Sequence, residues 1–523
     1  MKKSFIHGAF VLMVAATVNR VVGFIYQAVI YRLIGPEGVG LFNLVYPVYI
    51  LIIVIATAGI PLGISKLVSE EEGRGNHQRS YQILWLCVSI LVVSGTLFTL
   101  VSYMISPILL KYVFVNKMVY RVFLCLVPGI FVVSVSSAFR GFFQGLMNMK
   151  IPALGQVLEQ AVRVSAGFYL ATYLLPRGID WAAAGLALAG VAGEAAGLCL
   201  LLFAFLRQKP LNLKFALPGI RASSDILRKL WQMCAPITVG RIAATIMLSV
   251  DAVMVPSMLN KSGYTLSAAT ASYGQFTGMA VTLLFVPSVI TVSLATSLVP
   301  AISEAVALGR ALIVRSRTVD ALRVTFIAGI PFVAAFLAVP EQLTRGIYGS
   351  AEGGKLLSVL ALGGIMAYFQ QTTTGILQGL GRPGVPLRNL LVGGAFKIAG
   401  IYYLIWIRDM GIIGCAYAYD IFFLIAALLN LLSLKKITGY QLKLVNDLFK
   451  PVLAGIVTGV VYYRVYDWTI LFTGSIGTSL FLALLTGLLV YCAGVLYLGS
   501  VTRSDYVRLP LIGRFLDGIR KGR

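Results

Sequence analysis

Runs of about twenty apolar residues follow one another along the chain, parted by short stretches where Gly, Pro, Lys and Arg collect. Each run is long enough to cross a hydrocarbon core of ~30 Å as a helix, and a helix satisfies its own backbone there. The pattern predicts an all-α polytopic membrane protein of about fourteen spans, the first centred near Ala15 and the last near Leu484, with no strands. The opening MKKSFIHGAFVLMVAATVNR imitates a secretory leader. Arg20 interrupts its apolar run and the apolar pattern continues through Ile30, so the segment reads as the first span.

A second pattern overlies the first. RGFFQGLMNMKIP, from Arg140 to Pro152, returns from Thr374 to Pro386 as TGILQGLGRPGVP, with Gly141 matching Gly375, Gln144 matching Gln378 and Gly145 matching Gly379. The interval of 234 positions also carries Gly40-Leu-Phe onto Gly274-Gln-Phe and Ser69-Glu70 onto Ser303-Glu304. A repeat of this length exceeds the period of any solenoid and predicts two multi-helix lobes with the functional site where they face each other. The expected organisation is a six-helix lobe over 1–206, a basic cytoplasmic linker over 207–229 and a second six-helix lobe over 230–434. Two extra spans follow over 435–498, then a basic amphipathic cytoplasmic tail over 499–523.

Composition agrees with a membrane protein: 59% hydrophobic residues, a mean hydropathy of +0.89 and 12% charged residues, about half the ~25% of soluble domains. The formal net charge of +24 invites a nucleic-acid reading. Most of the 43 Lys and Arg, however, fall in loops on one side, which places both termini in the cytoplasm and accounts for the charge without nucleic acid. The six cysteines lie in or near apolar runs without CxxC spacing, so neither disulfides, a metal nor a cofactor is expected. Outer loops are short, with Asp180, Glu341, Glu352, Asp409 and Asp467 scattered singly, which argues against an enzyme.

Charges inside spans each cost at least a few kcal/mol unless they meet a partner or a wet cavity. They are Arg20, Glu159, Arg163 and Glu194 in the first repeat, and Arg241, Asp251, Lys397 and Asp420 in the second. Arg163 and Lys397 are related by the repeat interval, and Glu194 and Asp420 stand at similar levels on equivalent spans. Two readings stay open. Glu159 and Arg163, four apart on one helix face, can pair and merely stitch helices. Alternatively Arg20, Arg163, Arg241 and Lys397 form a cationic floor for a phosphate-bearing head group, with Asp251 and Asp420 binding a coupling cation.

NRVVGFIYQAVIYRLIGPEGVGLF (Asn19 to Phe42), GIPLGISKLVSE (Gly59 to Glu70), SSAFRGFFQGLMNM (Ser136 to Met149), QVLEQAVRV (Gln156 to Val164) and GLGRPGVPLRN (Gly379 to Asn389) carry a family resemblance. The chain resembles the multidrug/oligosaccharidyl-lipid/polysaccharide flippase superfamily, and within it a sporulation branch similar to the lipid II flippases. The resemblance implies two six-helix lobes in a V around a central cavity, alternating access, and two C-terminal helices that shape a groove for a lipid tail. It implies a polyprenyl-pyrophosphate-linked saccharide as substrate, a peptidoglycan precursor of the spore cortex, moved across the cytoplasmic membrane, with cell-wall synthases as neighbours. Drug or cation export on the same fold, or transport of another lipid-linked oligosaccharide of the O-antigen or teichoic type, are the alternatives. Arg20 and Arg32 match arginines of the family's first helix. Tyr26 stands where lipid II flippases usually carry another, and Lys397 lies near a position that in some relatives helps bind sodium, a site whose acidic member Asp251 matches.

Overall fold

The computed structural model describes residues 2–207, 220–441 and 444–500, and among them all regular structure is helical. The basic tail, with the amphipathic face expected of it, lies beyond residue 500 and outside the described residues. Among the described residues eleven helical stretches are long and apolar enough to cross a membrane. Two further expected spans are the helices Lys150–Leu174 and Gly353–Gly379, of 25 and 27 residues, made less apolar by Glu159 and Arg163 in one and by Gln370, Gln371 and three threonines in the other. The first two expected spans join in α1 (Lys2–Thr57), which breaks at Gly35 with φ 70° and ψ −178°, just before Pro36. That backbone region is open essentially to glycine alone.

The chain forms two compact units. The first comprises Met1–Thr282 with Ile398–Cys415. After α1 come α2 (Ile60–Gly73), α3 (His77–Tyr112), α4 (Val119–Leu126), α5 (Pro128–Gly145), α6 (Lys150–Leu174) and α7 (Ile179–Arg207). The 42-residue α8 (Ile220–Lys261) starts just past Pro218 and is followed by α9 (Leu266–Gln275), a π-helical segment Phe276–Val281 and the single turn α10 (Thr282–Leu284). One end of this unit is an aromatic core in which Phe142 and Phe139 meet Phe205 edge-on, ring centroids 6.0 and 5.4 Å apart, with Tyr81 and Trp85 packed around them.

The second unit comprises Leu283–Lys397 with Ala416–Arg523. It holds α11 (Ser288–Ala307), α12 (Ala311–Ala338), α13 (Pro340–Tyr348), α14 (Gly353–Gly379), and most of α15 (Gly384–Ile401) and α16 (Gly411–Thr438). The hairpin α17 (Lys450–Thr473) and α18 (Ile476–Tyr497) completes it. Gly487 lets Tyr462 of α17 lie flat on α18, and Tyr491 donates from its hydroxyl to Ile327 O at 2.8 Å, fastening the hairpin to α12.

The repeated glycines are the places where helices approach closest. A Cβ at Gly141 would lie 2.5 Å from Pro61 O, and one at Gly375 would lie 2.7 Å from Ala295 Cβ. One at Gly145 would meet Val68 and Ser65, and one at Gly379 would meet Ile302 and Val299. Each partner in the second unit is 234 positions after its counterpart in the first, so the repeated motif is a repeated helix crossing. Repeat-related residues even touch each other within the first unit. Gly274 lies against Gly40, and Asn43 Nδ2 donates to Thr277 Oγ1 at 2.9 Å, across 234 positions.

Candidate functional site

In the first unit α1, α4, α5, α6 and α7 surround a cavity of about 410 Å³. Glycine and ring packing set its walls. Gly23 admits Gln160 of α6, and Gly167 admits the Tyr26 hydroxyl. The long face of α1 supplies Asn19, Tyr26 and Gln27, then an aromatic ladder of Phe42, Tyr46 and Tyr49 whose successive ring centroids are 5.3 and 6.1 Å apart. Gln160 and Arg163 come from α6 and Glu194 from α7. The cavity is therefore apolar in bulk with a few convergent polar groups, the usual make-up of a small-molecule site.

Arg163 and Glu194 belong to a closed ring of four charges. Arg140 Nη2 donates to Glu159 Oε2 at 2.7 Å and to Glu194 Oε2 at 3.0 Å. Arg163 Nη2 donates to Glu159 Oε1 at 2.7 Å and reaches Glu194 Oε1 at 3.4 Å. The ring joins α5, α6 and α7, with two cations matched to two anions. α6 and α7 come close enough because Gly193 faces Glu159 O, where a Cβ would be 2.6 Å away. Glu159 is the most buried member, its side chain 11% exposed. Such a ring neutralises charges that hydrocarbon would not accept, and presents one guanidinium at the cavity wall.

Arg140 is the member that sequence reasoning missed, having assigned it only to the repeated motif. The signal was present: Gly141, Gly145 and their repeat partners define the packing face of α5, which leaves Arg140 turned elsewhere. Gln144 is half-buried and Gln378 exposed, each one turn or less from those crossings.

The remaining expected residues are distributed as follows. Arg20 is exposed on α1, one turn before the lining residue Gly23, and is not itself part of the cavity lining. Arg32, on α1, and Arg241, on α8, are also exposed and outside the cavity lining. Asp251 is buried on α8 at 1% exposure, near Tyr273.

In the second unit Lys397 is buried, its Nζ 4.8 Å from the Tyr419 ring centre and 5.3 Å from that of Phe422. Ring faces there attract the ammonium as carboxylates attract its repeat partner Arg163. Asp420 lies on the backbone of Gly363 in α14. The levels of Glu194 and Asp420 follow from the packing register. Gly185 of α7 lies on Leu170 and Gly414 of α16 on Leu404, so the last helix of each repeat is related by 229 positions rather than 234. Glu194 therefore corresponds to Phe423, within one turn of Asp420, and a shorter connection before α16 accounts for the change of interval. The positions corresponding to the ring of charges hold Thr374, Gly393, Lys397 and Phe423, and a neutral chain links α14, α15 and α16. Asn389 Nδ2 donates to Asn430 Oδ1 at 2.9 Å, and Asn430 Nδ2 donates to Thr373 Oγ1 at 3.1 Å.

The polysaccharide biosynthesis protein family matches residues 5–306. Stage V sporulation protein B of Bacillus subtilis (strain 168) is 31% identical over 516 residues, covering 98% of this chain and 99% of that protein. Lipid II flippase MurJ of the same organism is 23% identical over 556 residues, covering 100% of this chain and 99% of that one. Among solved structures, a lipid II flippase MurJ in an inward closed conformation is similar in fold, with a TM-score of 0.69 at 16% identity over 93% of this chain and 98% of that chain.

Proposed function

Because the chain belongs to the polysaccharide biosynthesis protein family, within the multidrug/oligosaccharidyl-lipid/polysaccharide flippase superfamily, we propose that it flips a polyprenyl-pyrophosphate-linked saccharide across the cytoplasmic membrane. The cargo on this reading is a peptidoglycan precursor for the spore cortex, in keeping with relatives named for sporulation and for lipid II. The observation that carries the reading is the cavity of the first unit, where the Arg163 guanidinium and its ring partner Glu194 stand among amides and aromatic rings.

The pyrophosphate meets Arg163 in the wall and Arg20, one turn from the lining residue Gly23. An arginine fork suits two phosphate oxygens, and when Arg163 turns to them Glu159 and Glu194 remain held by Arg140. The sugar rings lie along Phe42, Tyr46 and Tyr49. In the second unit, α12 and α17 enclose an apolar groove of about 280 Å³, lined by Ile330, Val333, Leu337, Val452 and Ile456 among others, which suits the isoprenoid tail. Rocking of the two repeated lobes, with both termini in the cytoplasm, then exposes the head group outside, and no bond is made or broken. A net negative load is helped outward by the membrane potential, at about 2.3 kcal/mol per charge per 100 mV. Asp251 and Asp420, outside the cavity lining, are left to the coupling step.

Arg20→Ala is expected to weaken binding of polyprenyl-pyrophosphate lipids about tenfold without loss of membrane insertion. Native mass spectrometry of wild type and variant with defined lipid measures this, and equal occupancy in the two would take Arg20 out of the site.

A further inference from the structure

The second unit contains a groove of about 230 Å³ between α11 and α14, away from every charge discussed above. Its polar lining is neutral: Gln370, Gln371, Thr374 and Gln378 from α14, and Thr296 from α11. Gln378 and Thr296 are exposed, and the other three are half-buried. The two hydroxyls donate to carbonyls of their own helices, Thr374 to Gln370 O and Thr296 to Ser293 O, but three carboxamides open along a bilayer helix cannot be left facing hydrocarbon, where an unsatisfied polar group costs several kcal/mol. They face water or a ligand. Thr291 Oγ1 lies 2.6 Å from Gln371 Oε1, so the amide is held from behind with its N–H groups left to donate.

The repeat provides an internal comparison. The corresponding positions of the first repeat hold Leu62, Ser136, Ser137, Arg140 and Gln144, so only one amide is shared. Helix packing does not demand the other two, because the crossing is made by Gly375 and Gly379 just as Gly141 and Gly145 make it in the first repeat. No cation lines the groove to select phosphate, and no carboxylate lines it to select a cation. Side-chain amides both donate and accept, which matches sugar hydroxyls and acetamido groups.

We propose that the α11/α14 groove is a saccharide subsite, in which Gln370, Gln371 and Gln378 hydrogen-bond an uncharged sugar of the cargo's head group. The proposal deepens the flippase reading and rests on it.

The test compares a polyprenyl pyrophosphate with the same lipid bearing an N-acetylated disaccharide, by native mass spectrometry. Wild type is expected to prefer the sugar-bearing lipid by about tenfold. Gln371→Leu with Gln378→Leu removes that preference while binding of the bare lipid stays unchanged. In an independent variant, Thr296→Cys, maleimide labelling is slowed by the sugar-bearing lipid and not by the bare one. A preference that survives the double substitution, or labelling equally fast with both lipids, overturns the subsite and leaves the flippase reading standing. Should wild type bind neither lipid, the flippase reading fails instead. The free disaccharide then decides the groove: slowed labelling upholds it and unchanged labelling overturns it.

Discussion

Gly274→Ala is expected to yield protein that fails to reach a monodisperse folded state in detergent, or melts far below wild type. A Cβ at Gly274 would sit 1.9 Å from Pro36 O and 2.8 Å from Gly40 N, both backbone atoms that no rotamer change can move. Gly40→Ala should behave alike, its Cβ falling 2.2 Å from Thr270 O. Overpacking of an ordinary core costs roughly 1–3 kcal/mol, and a clash with backbone belongs at or beyond the top of that range. Gly190 serves as the control: nothing lies within 4 Å of a Cβ there, so Gly190→Ala should be neutral or stabilising by up to about 1 kcal/mol. Thermal melting by intrinsic fluorescence separates the two cases. A Gly274→Ala variant that melts with wild type would mean that the two repeats do not cross at this point.

The second large effect is expected at the ring of charges. Glu159→Ala leaves Arg140 and Arg163 sharing one carboxylate in a buried setting, and breaking such a pair by removing one partner costs about 3 kcal/mol. Arg163→Ala should cost a similar amount, and the double substitution clearly less than the two together, because the second change removes a group already lacking its partner. Coupling of this kind in a double-mutant cycle, little altered by salt because the pair is shielded from solvent, is the expected signature. Additive losses would show that the four charges do not act as one unit.

Much of this was legible in the residues. Apolar run length gave the helices, and Gly35-Pro36 lies between the first two expected spans, where α1 breaks. The shared interval of Gly141 with Gly375 and of Gly145 with Gly379 anticipated the paired crossings, since only glycine tolerates such approach. Other features depend on three-dimensional register. Arg140 and Glu194 are 54 positions apart on helices that meet only after folding, so nothing local joins them. A shorter connection before α16 changes the interval of the last helices to 229 and brings Asp420 within one turn of Glu194's counterpart, Phe423. Gln378 stood out only as part of the repeated motif, and Gln370 and Gln371 not at all, because charge in a membrane segment is conspicuous and an amide is not, although an exposed amide in hydrocarbon is nearly as informative.

The central claim is that this chain moves a lipid-linked saccharide, and the most direct measurement is transbilayer movement in proteoliposomes. Purified wild-type protein would be reconstituted with a fluorescent disaccharide-bearing polyprenyl pyrophosphate, and head-group access from one face followed with a membrane-impermeant quencher. Protein-dependent movement of that lipid is expected, diminished in Arg20→Ala and absent for a phospholipid carrying the same fluorophore. No movement of the saccharide lipid by well-folded protein, in vesicles where the protein instead exchanges small organic cations, would contradict it.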